Sequence, residues 1–219
     1  MSKPTISYVI LTKDCPQVTG WIDFLHANIG ADDEIIILDD YSKDITPFDR
    51  YKDVPNIHFW QHKLYHSFAE HRNFAFGVSS KDYLLYLDSD ESVGSYLVQN
   101  IKRIIADSGS DLIWLPRMNF FEGATEEHAA MFNWHLKDGL VNWNNGDYQS
   151  RVIRRQSGLR WHGNVHEQIK VMPDTKQMLL GRHKDFAIIH RKSIAKQLAD
   201  NNHYLRSYTA QENMGVRHE

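Results

Sequence analysis

Apolar residues come in short dense runs broken by charged and turn-forming ones, and their spacing changes along the chain. Residues 5–12 (TISYVILT) are apolar and β-branched, the pattern of a strand covered on both faces. In PQVTGWIDFLHANIG, Val18, Trp21, Leu25 and Ile29 recur at helical spacing and Gly30 stops the run. EIIIL (34–38) reads as a second buried strand that ends in Asp39 and Asp40. Strand, helix, strand in this order predicts a parallel sheet with right-handed crossovers. A weaker strand at 57–60 follows, then a capping box, Ser67 with Glu70, opening a helix that carries Phe68, Arg72, Ala75 and Phe76. DYLLYL (82–87) is a strand running into Asp88-Ser89-Asp90-Glu91. A helix with Val93, Leu97, Ile101 and Ile104 comes next, and then a strand at 112–115 stopped by Pro116.

Beyond Pro116 periodicity fades. Residues 117–149 are rich in Asn, Trp, His and Gly, which predicts a long functional loop or lid. Strand-like pieces at 150–154, 159–161, 165–171 and 186–190 precede a last helix with Ile194, Leu198, Leu205 and Tyr208. The 219 residues suit one α/β domain in two halves, 1–116 and 117–219. With 42% hydrophobic and 24% charged residues, the composition is that of a globular protein. No apolar run approaches the roughly 20 residues of a membrane span. The single cysteine, Cys15, excludes an internal disulfide and fits a reducing cytoplasm, the expected location. Charge is uneven: residues 1–150 hold 12 Lys+Arg and 22 Asp+Glu, residues 151–219 hold 13 and 6. The basic part is expected to face an anion.

Asp88-x-Asp90 is the sharpest chemical feature. Two carboxylates two residues apart, at the carboxyl end of a buried strand, can converge on one hard divalent cation that shares oxygens with a phosphorylated substrate. Alone the motif is common in solvated turns. Asp39-Asp40 ends the second strand on the same rim, where a carboxylate can accept hydrogen bonds from a base or ribose, or can simply open a turn with Ser42. Thr12 and Asp14 end the first strand beside them. No G-x-G-x-x-G follows strand one, which disfavours a dinucleotide-binding dehydrogenase. The first loop, TKDCPQVTG, also lacks the glycine cluster that a nucleotidyltransferase would need around a triphosphate.

ISYVILTKD, EIIILDDYSKD, EHRNFAFG and DYLLYLDSDE together resemble, in order and spacing, the nucleotide-binding half of family 2 glycosyltransferases of the GT-A fold. QSRVIRR, LRWHGNVHEQI and AIIH extend the resemblance to about residue 190, toward a bacterial branch that includes lipopolysaccharide-core sugar transferases and peptide S-glycosyltransferases. The resemblance implies a Rossmann-like, mostly parallel sheet flanked by helices, with a nucleotide-sugar half at 1–116 and a smaller mixed acceptor-side region after it. It implies that Asp40, with Thr12 and Asp14, reads a uracil-type base, and that Arg72 lies near base and diphosphate. Asp88 and Asp90 would hold Mn²⁺ or Mg²⁺ with His190, and Glu167 would be the acceptor's base. TKDCPQ lacks the Asn common in the family's first loop, which leaves base contacts there open.

The implied reaction is transfer of a sugar from a UDP-sugar by one inverting displacement. Metal and cation would stabilise the departing diphosphate, and a carboxylate would deprotonate the acceptor. Arg151, Arg154, Trp161 and His166 are candidate acceptor or diphosphate contacts. Glu167 reads alternatively as a strand residue paired with Arg151 or Arg154, and His190 as a core histidine. Strand alternation would bury Glu167 with Val165 and Ile169 and turn His166 the other way. The expected acceptor is a cell-envelope glycan, held as an anion by the basic region and by Trp134, Trp143 and Trp161. A peptide or a modified base in DNA, or a non-catalytic nucleotide-binding module, are the alternatives.

Overall fold

The computed structural model describes residues 3–65, 67–164 and 166–201. β1 (Ile6–Thr12) and β2 (Glu34–Asp39) are buried at every position, as their unbroken apolar runs require. α1 (Val18–Asn28) connects them, and β3 (Ile57–Gln61) forms the sheet edge beyond β2. α2 (Phe68–Val78) leads to β4 (Tyr83–Asp88), which pairs parallel with β1 on its other side. Alternation along β1 sorts the core. Ile6, Tyr8 and Ile10 pack with Ile22, Leu25, Leu97 and Ile101 on one face, while Val9 and Leu11 pack with Ala69, Ala75 and Phe76 on the other.

Val93, expected in a helix, closes a short strand, β5 (Glu91–Val93). α3 (Ser95–Ser108) starts after Gly94 and ends at Gly109, whose φ of 59° is the left-handed cap that glycine takes without cost. At the start of α2, Ser67 accepts the Glu70 amide as expected. The reciprocal box lies instead at Thr125 and His128, opening α4 (Glu126–Phe132).

Pro116 does not stop its strand: β6 runs Leu112–Glu122. The proline is tolerated because its missing N–H falls where no ladder needs it. β12 (Gln177–Leu179) pairs with β6 as far as Trp114, and β13 (Ile188–Ser193) takes over at Arg117. The stretch 117–149 is correspondingly not one long loop. It holds the second half of β6, then α4, then the β7 (Leu136–Lys137) and β8 (Leu140–Val141) pair, and a 3₁₀ turn at Trp143–Asn145. The period was hidden because these pieces are too short to show one.

β9 (Tyr148–Arg154) runs antiparallel between β4 and β6, so strands from both halves interleave in the order β3-β2-β1-β4-β9-β6-β13-β5. This α/β arrangement, a mostly parallel sheet flanked by helices with a smaller mixed region, is the expected fold. β10 (Trp161–His162) and β11 (Gln168–Ile169) form a separate two-stranded sheet. Here the expected strand at 165–171 shrinks to two residues because His166 has φ 56°. That left-handed residue breaks the pleat and voids the alternation argument for Glu167. The last helix covers 194–201; Leu205 and Tyr208 lie outside the described residues, as does Val165.

Candidate active site

The carboxyl ends of β1, β2 and β4 open onto a cleft of about 870 Å³. Asp39 and Asp40 divide the labour there. Asp39, fully buried, turns inward and accepts from the Ser42 amide (2.9 Å), the Ser42 hydroxyl and Gln61 Nε2 (3.0 Å), so it builds the turn. Asp40 faces the cleft, accepting from the Leu64 amide (2.7 Å) and the exposed Lys13 ammonium (2.6 Å). Beside it His71 is pushed down to about 4, first by burial and then by the charge of His62, whose Nδ1 lies 3.3 Å from its own.

An alternating chain of buried charges crosses the cleft floor. Arg72 Nε donates to Glu167 Oε1 (2.6 Å), and its Nη2 donates to both oxygens of Asp88 (2.8 and 3.0 Å). The Arg72 guanidinium lies over the Trp161 ring at 5.0 Å. From the other side Arg151 Nη2 donates to Asp88 (3.0 Å) and to Glu91 (2.7 Å). Glu91 in turn accepts the Asp88 amide (3.1 Å). Burial alone would raise the Asp88 carboxyl, but the charges of Arg72 and Arg151 outweigh it and hold it well below the usual range. Arg72 Nη1 and Arg151 Nε are buried without a hydrogen-bond partner among the described residues.

Asp90 lies beyond this chain. Its Oδ2 is 3.5 Å from His190 Nε2, whose hydrogen bond and charge depress the carboxyl against the effect of burial. Asn119 Nδ2 donates to Asp147 (2.7 Å), so Asn119 Oδ1 is the acceptor for His190 Nδ1 at 2.9 Å. With Nδ1 committed to Asn119, Nε2 is the ring nitrogen that faces the Asp90 carboxylate, and the pair calls for a proton or a metal ion between them. The donor set fits a divalent cation in part. Among the described residues no group of three or more His, Cys, Asp or Glu side chains gathers, so other positions would fall to substrate oxygens and water.

A sequence model of the family described as glycosyl transferase family 2 matches residues 18–196. The chain belongs to glycosyl transferase family 2. Solved structures with a similar fold include Staphylococcus aureus TarS 1-349 in complex with UDP-GlcNAc, at 16% identity and TM-score 0.59, covering 86% of this chain and 58% of that one. TarS 1-349 in complex with UDP gives 14%, 0.57, 87% and 60%. The chain therefore spans about three fifths of these TarS fragments.

Within this family-2 fold, the cleft gathers Thr12, Asp40, Arg72, Asp88 and Asp90 with Arg151, Trp161, His166, Glu167 and His190. Two expected contacts lie apart from it. Asp14, at φ 47°, uses its carboxylate to accept the Lys43 amide (2.8 Å) and shapes the loop behind Asp40. Arg154 pairs with Asp111 (2.8 Å) and covers the Tyr83 ring, because three residues along a strand reverse the face that Arg151 occupies. Glu167 meets Arg72 and neither Arg151 nor Arg154, and it lines the cleft together with His166. Sequence reasoning passed over Glu91, Arg117, Asn119 and Asp147. Only the Asp-Ser-Asp-Glu run hinted at Glu91; the others lie on β6 and just before β9, with no local signal.

Proposed function

We propose that the protein transfers a sugar from a nucleoside diphosphate sugar to an acceptor nucleophile by a single inverting displacement. The observation that carries this is the convergence of Asp40, Arg72, Asp88, Asp90 and Glu167 on one cleft at the strand ends. The UDP and UDP-GlcNAc complexes of the similarly folded TarS favour a uracil nucleotide, with Asp40 accepting the ring N–H beside Thr12. Arg72, in the lining of the same cleft, would lie near the diphosphate.

Charge supports a metal requirement. The cleft lining holds five Lys and Arg against six Asp and Glu, so it has no spare positive charge for a diphosphate. Asp90 and His190 would hold a Mn²⁺ or Mg²⁺ ion, with Asp88 alongside, and the ion would neutralise charge that develops on the leaving diphosphate. Glu167 keeps Oε1 on Arg72 and has Oε2 to take the acceptor's proton as it attacks. No helix among the described residues is long and apolar enough to cross a membrane.

A panel of UDP-, GDP- and ADP-sugars, scored by thermal shift and nucleotide release with and without Mn²⁺, tests the reading. Asp90→Asn should abolish transfer and Mn²⁺-dependent stabilisation while leaving the metal-free melting temperature within a few degrees. Full activity in that variant, or in excess chelator, would overturn the metal assignment.

A further inference from the structure

The cleft extends well past the strand ends that face the nucleotide. Its far half is built by β6, β8, β9 and β13, and its charges are already balanced. Arg117 pairs with Asp147 at 3.0 Å, and Lys192 pairs with Asp200 at 2.6 Å. Asp147 stays ionised: burial opposes this, but the Arg117 charge and the Asn119 and Gln149 amides hold its carboxyl low. Arg151 is committed to Asp88 and Glu91. Each Lys or Arg in the cleft lining thus has a carboxylate partner. Several other cations of the basic region are engaged away from the cleft: Arg154 with Asp111, Arg155 with the Lys81 carbonyl, Arg160 over Phe76 and Arg191 over Phe120.

What remains open in that half is aromatic and neutral. Phe121 stacks on Trp134 at 4.7 Å with an 8° interplanar angle, and Phe132 packs on Trp134 at 4.5 Å. Phe121 also meets the His190 ring edge-on at 5.6 Å, so this wall stands directly beside the Asp90–His190 pair. Trp134 and Tyr148 line the cleft, and neither side chain has a hydrogen-bond partner among the described residues. Aromatic surface plus a few uncharged donors matches the weakly polar C–H faces and hydroxyls of a sugar ring. Among the described residues of the lining, a polyanion would meet no Lys or Arg without a carboxylate partner and would face Asp147 and Asp200.

We infer that this wall is the acceptor subsite and that it takes a neutral, hydroxyl-rich glycan, neither an anionic glycan nor a nucleic acid. This departs from the anionic acceptor expected from charge along the chain, and it rests on the sugar-transfer reading above. Direct binding keeps the two separable. Calorimetric titration of the UDP- and Mn²⁺-loaded protein with neutral oligosaccharides (chito-, malto- and manno-oligomers), oligogalacturonate and a single-stranded dT oligomer needs no turnover. At least one neutral oligomer should bind, with affinity changing less than about twofold between 50 and 300 mM salt, whereas phosphate contacts would give a steep salt slope. Tyr148→Phe removes one oxygen and should weaken that binding by about threefold to tenfold; Trp134→Ala should weaken it at least as much. Binding of no neutral oligomer, tighter salt-sensitive binding of either polyanion, or wild-type affinity in both variants overturns the inference. Neutral-glycan binding without nucleotide release from any sugar nucleotide would instead count against the transfer reading and leave the subsite standing.

Discussion

Replacing Arg151 with methionine isolates the electrostatics of the cleft floor. The side chain is 4% exposed and joins Glu91, 1% exposed, to Asp88, 32% exposed. Methionine keeps the buried stem and removes the charge, so packing changes little. Glu91 would then keep the Asp88 amide at 3.1 Å and, among the described residues, one cation, Arg117, at 3.6 Å. Removing one partner of a buried ion pair costs about 3–5 kcal/mol, because the other charge stays desolvated. Most of that falls on Glu91, since Asp88 is partly solvated and retains Arg72. For a chain of this size each kcal/mol shifts the melting temperature by about 2–4 °C, so a drop of roughly 6–20 °C is expected. The pH dependence has a defined sign. Asp88 is held below its ordinary value of 3.8, so its contribution is present above that value and lost as pH falls through the depressed one. The gap between wild type and Arg151→Met should be widest above about pH 5 and should narrow on acidification. Urea denaturation across this range measures it. Adding Glu91→Gln to Arg151→Met should restore at least about 1 kcal/mol by removing the stranded charge. A destabilisation under about 1 kcal/mol, or strict additivity in the double variant, would refute the reasoning.

Glu167→Gln should keep UDP and metal affinity and lose about 10²–10⁴-fold in transfer rate, together with the rate's dependence on the base's ionisation. Near wild-type rate in that variant, with loss in His166→Ala, would reverse the roles of these neighbours. Asp40→Ala should abolish any preference for UDP over ADP and GDP in thermal shift; a base preference that survives the substitution would assign reading to other groups. Limited proteolysis should cut between 123 and 147 in the free protein and slow when UDP and Mn²⁺ are added, with the β6 portion at 117–122 protected in both states. Unchanged cutting would deny this segment a closing role.

What the sequence determined by itself is the part governed by local pattern. A strand covered on both faces is apolar over most of its length, so β1, β2 and β4 were legible as runs, and the carboxylates that follow those runs marked where each strand reaches the rim of the sheet: Asp39, Asp40, Asp88 and Asp90. Helical spacing fixed α1 and α2, and with α2 the position of Arg72. Tertiary structure decided everything that depends on which strands become neighbours. β9 enters between β4 and β6, and that alone brings Arg151 onto Asp88 and Glu91. β13 lies between β6 and β5, which sets His190 opposite Glu91 and beside Asn119. The partner of Glu167 turned on one backbone angle, φ 56° at His166, which neighbouring residue types did not announce. Charge along the chain is a weak guide to a ligand for the same reason. Net charge sums residues by sequence position, whereas a ligand meets what remains after folding has paired each cation with the carboxylate that long-range contacts put within reach.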